Sequence, residues 1–308
     1  MNEESTRRLA LAQQLAPYYC ANPKVAIVAV EGSVARRDAD RFSDIDLTVF
    51  WSLAPTEEER AEIIKRAGGK HEQLNSYNRD EACWSDAYEV GGIAIDVRHV
   101  EVGAAERILA EVLEHCDPSL FKQQHLTALL SALPLSDPSA VLNHWQSRAT
   151  AYPRGLSTAM VHAHLRFRPG WELEMLAERN DLLALYESFC AIEKQVLLVL
   201  MGLNRLYYPG WQRVDRLIEQ MRIAPLTLAA RFKQLFGIVS IDPLASVYQL
   251  HDLIVETFRL VETCLSELDT TQALARFQER HHAWERVPDG LPVETRKNEG
   301  DRPVPEHT

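Results

Sequence analysis

Apolar and polar positions change rhythm about a third of the way along this chain. Up to residue 104, short apolar runs and alternations dominate; beyond it, apolar residues recur at helical spacing. Leu9, Ala12, Leu15 and Ala16 mark one face of an opening helix over residues 5–20. Val25 to Val30 is an unbroken apolar run, the pattern of a buried strand. Gly32-Ser33 then turns the chain, and a short helical segment follows from Ser33 to Arg37. Ser43 to Phe50 alternates and predicts a second strand. Thr56 and Glu59 form a capping box that opens a charged helix, which stops at Gly68-Gly69. Within residues 83–102, Tyr88–Val90, Gly91-Gly92 and Ile93–Val100 predict a hairpin with Asp96 inside its second strand.

The remaining pattern is helical, over 104–115, 118–132, 138–150, 173–203, 211–222, 225–236 and 245–285. Asp137-Pro138 supplies a cap followed by a proline suited to the first helical position. The expected fold class is therefore α+β: a small mixed-sheet core over residues 1–104, then an all-α helical domain over 105–286. Residues 287–308, rich in proline, glycine and charge without periodicity, read as a disordered tail.

Composition narrows the partners. The formal net charge is −11 and no long basic block occurs, so extended nucleic acid is disfavoured. The acidic balance mildly favours a cationic small molecule. Five scattered cysteines with no Cys-x-x-Cys pair read as reduced thiols of a cytoplasmic protein. No signal peptide is visible, and the most apolar helical stretch, Val196 to Met201, is far shorter than a membrane span. The oligomeric state leaves no trace in the pattern.

The chemistry concentrates in residues 31–46. Asp44 and Asp46 alternate with Ile45 and Leu47, so their carboxylates share one face of a strand, with Cα atoms about 6.5 Å apart. Gly32 and Ser33, entering a helical turn, offer backbone N–H groups and a hydroxyl to a phosphate. Asp96, flanked by Ile95 and Val97, suits a third acid on a neighbouring strand. Paired carboxylates beside a phosphate cradle suit divalent metal and an in-line displacement at phosphorus.

Gly32-Ser33, then Asp44-Ile45-Asp46, then Asp96 resemble the signature of the DNA polymerase beta-like nucleotidyltransferase superfamily. The wording Gly-Ser-Val-Ala-Arg and Phe-Ser-Asp-Ile-Asp-Leu is similar to its small-molecule, antibiotic-modifying branch, over about residues 20–105. The resemblance implies an enzyme that passes a nucleoside monophosphate, AMP from ATP before other nucleotides, to a hydroxyl of a small molecule such as an aminoglycoside- or lincosamide-like compound. It implies two Mg2+ ions on Asp44, Asp46 and Asp96, with Asp96 also able to take the hydroxyl proton. Ser33 and Gly32 would hold phosphates, Arg36 would neutralise charge, and Arg41 and Ser43 would assist. A second likeness is Asn204-Arg205-Leu-Tyr207-Tyr208-Pro209-Gly210, similar to a loop of helical domains that follow some such cores. Here Trp211 comes at once, and Arg213 sits near where those domains carry a lysine.

Competing readings are weaker. His162-Ala-His164 and His281-His282 lack metal-ligand partners, Gly68-Gly69-Lys70 lacks the rest of a phosphate loop, and no nucleophile elbow occurs. Glu187 and Glu193 fall on a helix and read as solvated or salt-bridged before auxiliary bases. Two other functions share the motifs: a nucleotidyltransferase toxin acting on protein or tRNA, and a silent nucleotide-binding regulatory module. The acidic chain opposes tRNA, and the presence of all three acids opposes a silent module.

Overall fold

The computed structural model describes residues 2–280. One mixed six-stranded sheet carries helices on both faces, an α+β architecture in which most residues beyond the sheet are helical. Its strands are β1 (Val25–Val30), β2 (Ile45–Trp51), β3 (Lys70–Leu74), β4 (Cys83–Val90), β5 (Ile93–Glu101) and β6 (Leu133–Ser136), in spatial order β3-β4-β5-β2-β1-β6. Only β2 and β5 run parallel; the other neighbours are antiparallel.

Helices α1 (Glu3–Cys20) and α3 (Glu57–Arg66) cover one face of the sheet. There Leu15 and Tyr19 pack on Val28, Val30, Leu47, Val49, Trp51 and Ile95. The Thr56–Glu59 capping box forms as read, with reciprocal side-chain and backbone bonds. Under α3, Asp86 is ion-paired with buried Arg60 and hydrogen-bonded to His99 at 2.8 Å, while the Trp51 indole donates to His99 Nδ1 at 3.0 Å. That donor leaves His99 neutral with its proton on Nε2, and burial lowers its pKa accordingly.

The opposite face feeds the helical part. After α2 (Gly32–Ala35), α4 (Val102–Leu113), α5 (Leu120–Ser131) and α6 (Val141–Thr150) lie against it. Ile27, Ala29, Phe50 and Val100 of the strands share one apolar core with Leu126, Leu129 and Trp145. That core runs on through α7 (Arg154–His164), α8 (Gly170–Glu178), α9 (Leu182–Asn204), α10 (Val214–Glu219), α11 (Leu228–Ile238), α12 (Pro243–Cys264) and α13 (Thr271–Phe277).

Several elements differ from the sequence pattern. The stretch 173–203 is two helices, because Asn180 takes a left-handed conformation (φ 53) between α8 and α9. Helix α6 starts at Val141, three residues past Pro138, with the Asp137 carboxylate accepting from the N–H groups of Val141 and Leu142, each at 3.0 Å. Of the span 245–285, the described part is divided into α12 and α13, and residues 281–285 lie outside the described residues. Helix α7 went unread because Gly155 and two histidines dilute its apolar stripe. β3 is polar and exposed, and β6 holds Pro134, which only an edge strand tolerates. The expected tail, 287–308, lies outside the described residues.

Candidate active site

The strand registry builds the site. Asp46 on β2 is the direct parallel partner of Asp96 on β5, and Asp44 stands just before β2 begins. Alternation sends Asp46, Thr48 and Phe50 to the face shared by Asp96, Arg98 and Val100. One oxygen from each of Asp44, Asp46 and Asp96 lies within 4.8 Å of the others. Among the described residues this is the one group of three or more acids, histidines or cysteines so arranged.

Glycine is required beside it. Gly32 has φ +62, and a Cβ there would fall on the Asp46 carboxylate. The Glu31 N–H donates to the Asp46 carbonyl at 2.9 Å, locking the turn after β1 to β2. The Ser33 hydroxyl is buried beside this turn with no hydrogen-bond partner.

Electrostatics favour a cation. Burial, then the charges of Asp44, Glu31 and Asp96, push Asp46 up to about 6. Burial and the adjacent Asp44 carboxylate raise Asp96 as well. Three crowded carboxylates and an unpartnered hydroxyl fit a divalent ion with an anionic ligand, since the ion would relieve the repulsion that lifts these pKa values.

The other sequence candidates are treated unequally. Arg36 is exposed, lines the cleft and lies 3.8 Å from Asp38. The Ser43 hydroxyl is engaged by the Asp40 N–H (2.9 Å) and carboxylate (3.3 Å), and its carbonyl accepts from Arg8 at 2.7 Å, so Ser43 shapes the loop. Arg41 stacks over exposed Phe42 at 4.4 Å. His162 and His164 join no metal-type group among the described residues, and His281-His282 lies outside them. Glu193, half-buried, is pushed up to about 7 by burial and by Asp215, and is not itself among the residues that line the cleft.

Asp46 and Asp96 open into a cleft of about 1320 Å³ between sheet and helices. Thr48, Ser85 and Arg98 form its floor beyond the acids, and Thr127, Ser131, Tyr152, Tyr208 and Trp211 help form its walls. The loop after α9 docks firmly: Tyr207 donates to the Ala149 carbonyl at 3.0 Å, and the Tyr208 carbonyl accepts from Thr127 at 3.1 Å. Both tyrosines are buried, which makes them packing groups. Arg213 and Arg216 of this region are ion-paired to Asp38, and Arg213 also donates to the Asp38 carbonyl at 3.1 Å. Sequence reasoning missed Glu31, Asp38, Arg98 and Arg216. A signal existed only for Glu31 and Asp38, charges within the Gly-Ser to Asp-x-Asp segment.

A family model described as "Domain of unknown function (DUF4037)" matches residues 119–212. No curated protein matches the chain. Among solved structures, a nucleotidyltransferase-like protein from Exiguobacterium sibiricum 255-15 aligns at 9% identity and TM-score 0.39, covering 87% of this chain and 77% of that one. The Cid1 poly(U) polymerase aligns at 16% identity and TM-score 0.27, covering 42% of this chain and 41% of its own.

Proposed function

We propose that this chain is an Mg2+-dependent nucleotidyltransferase that moves a nucleoside monophosphate, AMP from ATP as the first case, onto a hydroxyl of a small molecule. The reading rests on the convergence of Asp44, Asp46 and Asp96 within 4.8 Å beside a glycine that admits no side chain. These three carboxylates would hold Mg2+, which supplies charge neutralisation at phosphorus and acidifies a bound hydroxyl.

The chain's own residues cover the rest. The Ser33 hydroxyl and Arg36 would bind phosphate oxygens, Ser33 because it otherwise stays buried and unpaired. Asp96, the most exposed of the three acids, would accept the acceptor's proton. The acceptor oxygen bonds to the α-phosphorus, the bond to the bridging oxygen breaks, and pyrophosphate leaves with that electron pair.

The test is pyrophosphate release from labelled triphosphates with Mg2+ and an acceptor panel. Release in the native chain and its loss, by at least about 100-fold, in Asp44→Ala and Asp46→Ala supports the mechanism. Undiminished transfer in the double variant defeats it. Tight triphosphate binding with no release would instead make this a regulatory nucleotide-binding module.

A further inference from the structure

We propose that Arg98 marks the acceptor subsite, and that the acceptor is a hydroxyl compound carrying an anionic group, a carboxylate or a phosphate. The inference rests on the nucleotidyl-transfer reading and names the second substrate's chemistry.

The cleft floor changes character in rows along β2 and β5. Asp46 and Asp96 form the first row, Thr48 and Arg98 the second, Phe50 and Val100 the third, each pair in direct register. On the other side of β5, Ser85 is the partner of Arg98. Successive rows are about 6.5 Å apart. A group held over Arg98 therefore lies within reach of a hydroxyl at the acids, about the span of a sugar phosphate or a short hydroxy acid.

Five arginines line the cleft, Arg205 on the loop after α9 and four others that fall in two places. Arg36, Arg213 and Arg216 gather round Asp38, in the loop that precedes Asp44 and Asp46. Arg98 rises from the row past the acids in the direction of β2, and its guanidinium leans across that row to Glu31. In-line displacement demands that acceptor and departing pyrophosphate occupy opposite sides of the α-phosphorus. With phosphates on the Gly32–Ser33 and Arg36 side, the acceptor belongs on the Arg98 side.

Arg98 is also incompletely used. The one side-chain hydrogen bond of its guanidinium among the described residues goes to Glu31, at 3.3 Å, and its Nε is buried without a partner. The guanidinium side chain is 26% exposed against 9% for Glu31. Both members of the pair line the cleft, and the guanidinium is the more open of the two. His125, buried next to Arg98, donates from Nδ1 to the Phe121 carbonyl (3.0 Å) and adds no positive charge there. Asp86, the neighbouring acid on β4, is consumed by Arg60 and His99. A guanidinium fixed on one side and open on the other suits forked recognition of carboxylate or phosphate.

The experiment uses the full chain loaded with Mg2+ and an ATP analogue that cannot be cleaved between the α- and β-phosphates. Inorganic phosphate and acetate are then titrated calorimetrically. The native chain should bind at least one of them; Arg98→Met should weaken it about tenfold or more, and Glu31→Gln, which frees the guanidinium, should tighten it. The double variant Glu31→Gln with Arg98→Met removes both charges and controls for misfolding; it too should lose the anion while melting normally. Anion binding that is absent, or unaffected by Arg98→Met, overturns the subsite. Transfer assays then compare glucose 6-phosphate with glucose, glycerate with glycerol, and an aminoglycoside. Preference for the phosphorylated or the carboxylated member, lost in Arg98→Met, supports the proposal and says which anion is read. Faster transfer to neutral or cationic acceptors overturns it while leaving nucleotidyl transfer standing. Absence of release with every acceptor counts against nucleotidyl transfer, and the anion titration still decides Arg98.

Discussion

Gly32 is where a single atom has the largest expected effect. Replacing it with alanine would drive a methyl group into the Asp46 carboxylate and impose φ +62 on a residue that resists it. Gly32→Ala should lower transfer by at least about 100-fold and abolish the rise in melting temperature produced by Mg2+, measured by calorimetry with and without the ion. Asp46 yields a second prediction with a definite sign. Its pKa is raised to about 6 in the folded chain, so between about pH 4 and 6 the folded state binds more protons than the unfolded state. Stability of the metal-free protein attributable to this group is therefore highest at low pH and falls as pH rises through that window. Asp46→Asn should consequently stabilise the metal-free protein at pH 8 by about 2–3 kcal/mol in denaturant titration, an advantage that vanishes at pH 4. Residues of this kind were legible in the sequence, since Gly-Ser followed by Asp-x-Asp carries its spacing locally. Glu31 and Arg98 were not, because their pairing spans 67 positions and a lone charge on a strand is ordinarily solvated.

Among the elements, β2 and β5 show how one alternation can serve two purposes. Their outward series run from acid to polar to apolar as the strands pass from the open cleft to beneath α5, so the same face begins as a site and ends as a core. Parallel pairing of strands separated by β3 and β4 brings Asp96 level with Asp46. The loop after α9 is held differently. Asn204 accepts from the N–H groups of Arg222 (2.7 Å) and Ile223 (2.8 Å) and donates to the carbonyls of Leu200 (2.8 Å) and Ile223 (2.7 Å). Asn204→Ala would strand two N–H groups at once. It should cost about 2–4 kcal/mol in unfolding free energy and raise KM for the triphosphate, because Arg213 and Arg216 follow this clamp. The sequence singled out this asparagine as part of a loop motif, yet its role is to tie two turns together.

At the scale of the whole molecule, the sheet and the helices share a core. Phe50 and Val100 lie under Trp145, with the Phe50 and Trp145 rings 5.1 Å apart, and β6 reaches the sheet from beyond residue 104 to cover the edge of β1. A fragment ending at residue 104 would expose that face and lose that strand. It should fail to give a cooperative melt, whereas the full chain should melt cooperatively, as followed by circular dichroism. No described helix is long and apolar enough to cross a membrane.

The sequence by itself determined the alternation of strands and helices at the start of the chain, the α+β class, the acids and the glycine. All of these depend on neighbours a few positions away, where backbone geometry dictates which side chains face together. Tertiary structure alone decided that Asp96 stands level with Asp46, that Asp38 meets Arg213 across 175 positions, and that Arg98 lines the cleft paired with Glu31. Such juxtapositions arise from packing the sheet against the helices, which selects among many pairings that local pattern leaves equal in energy.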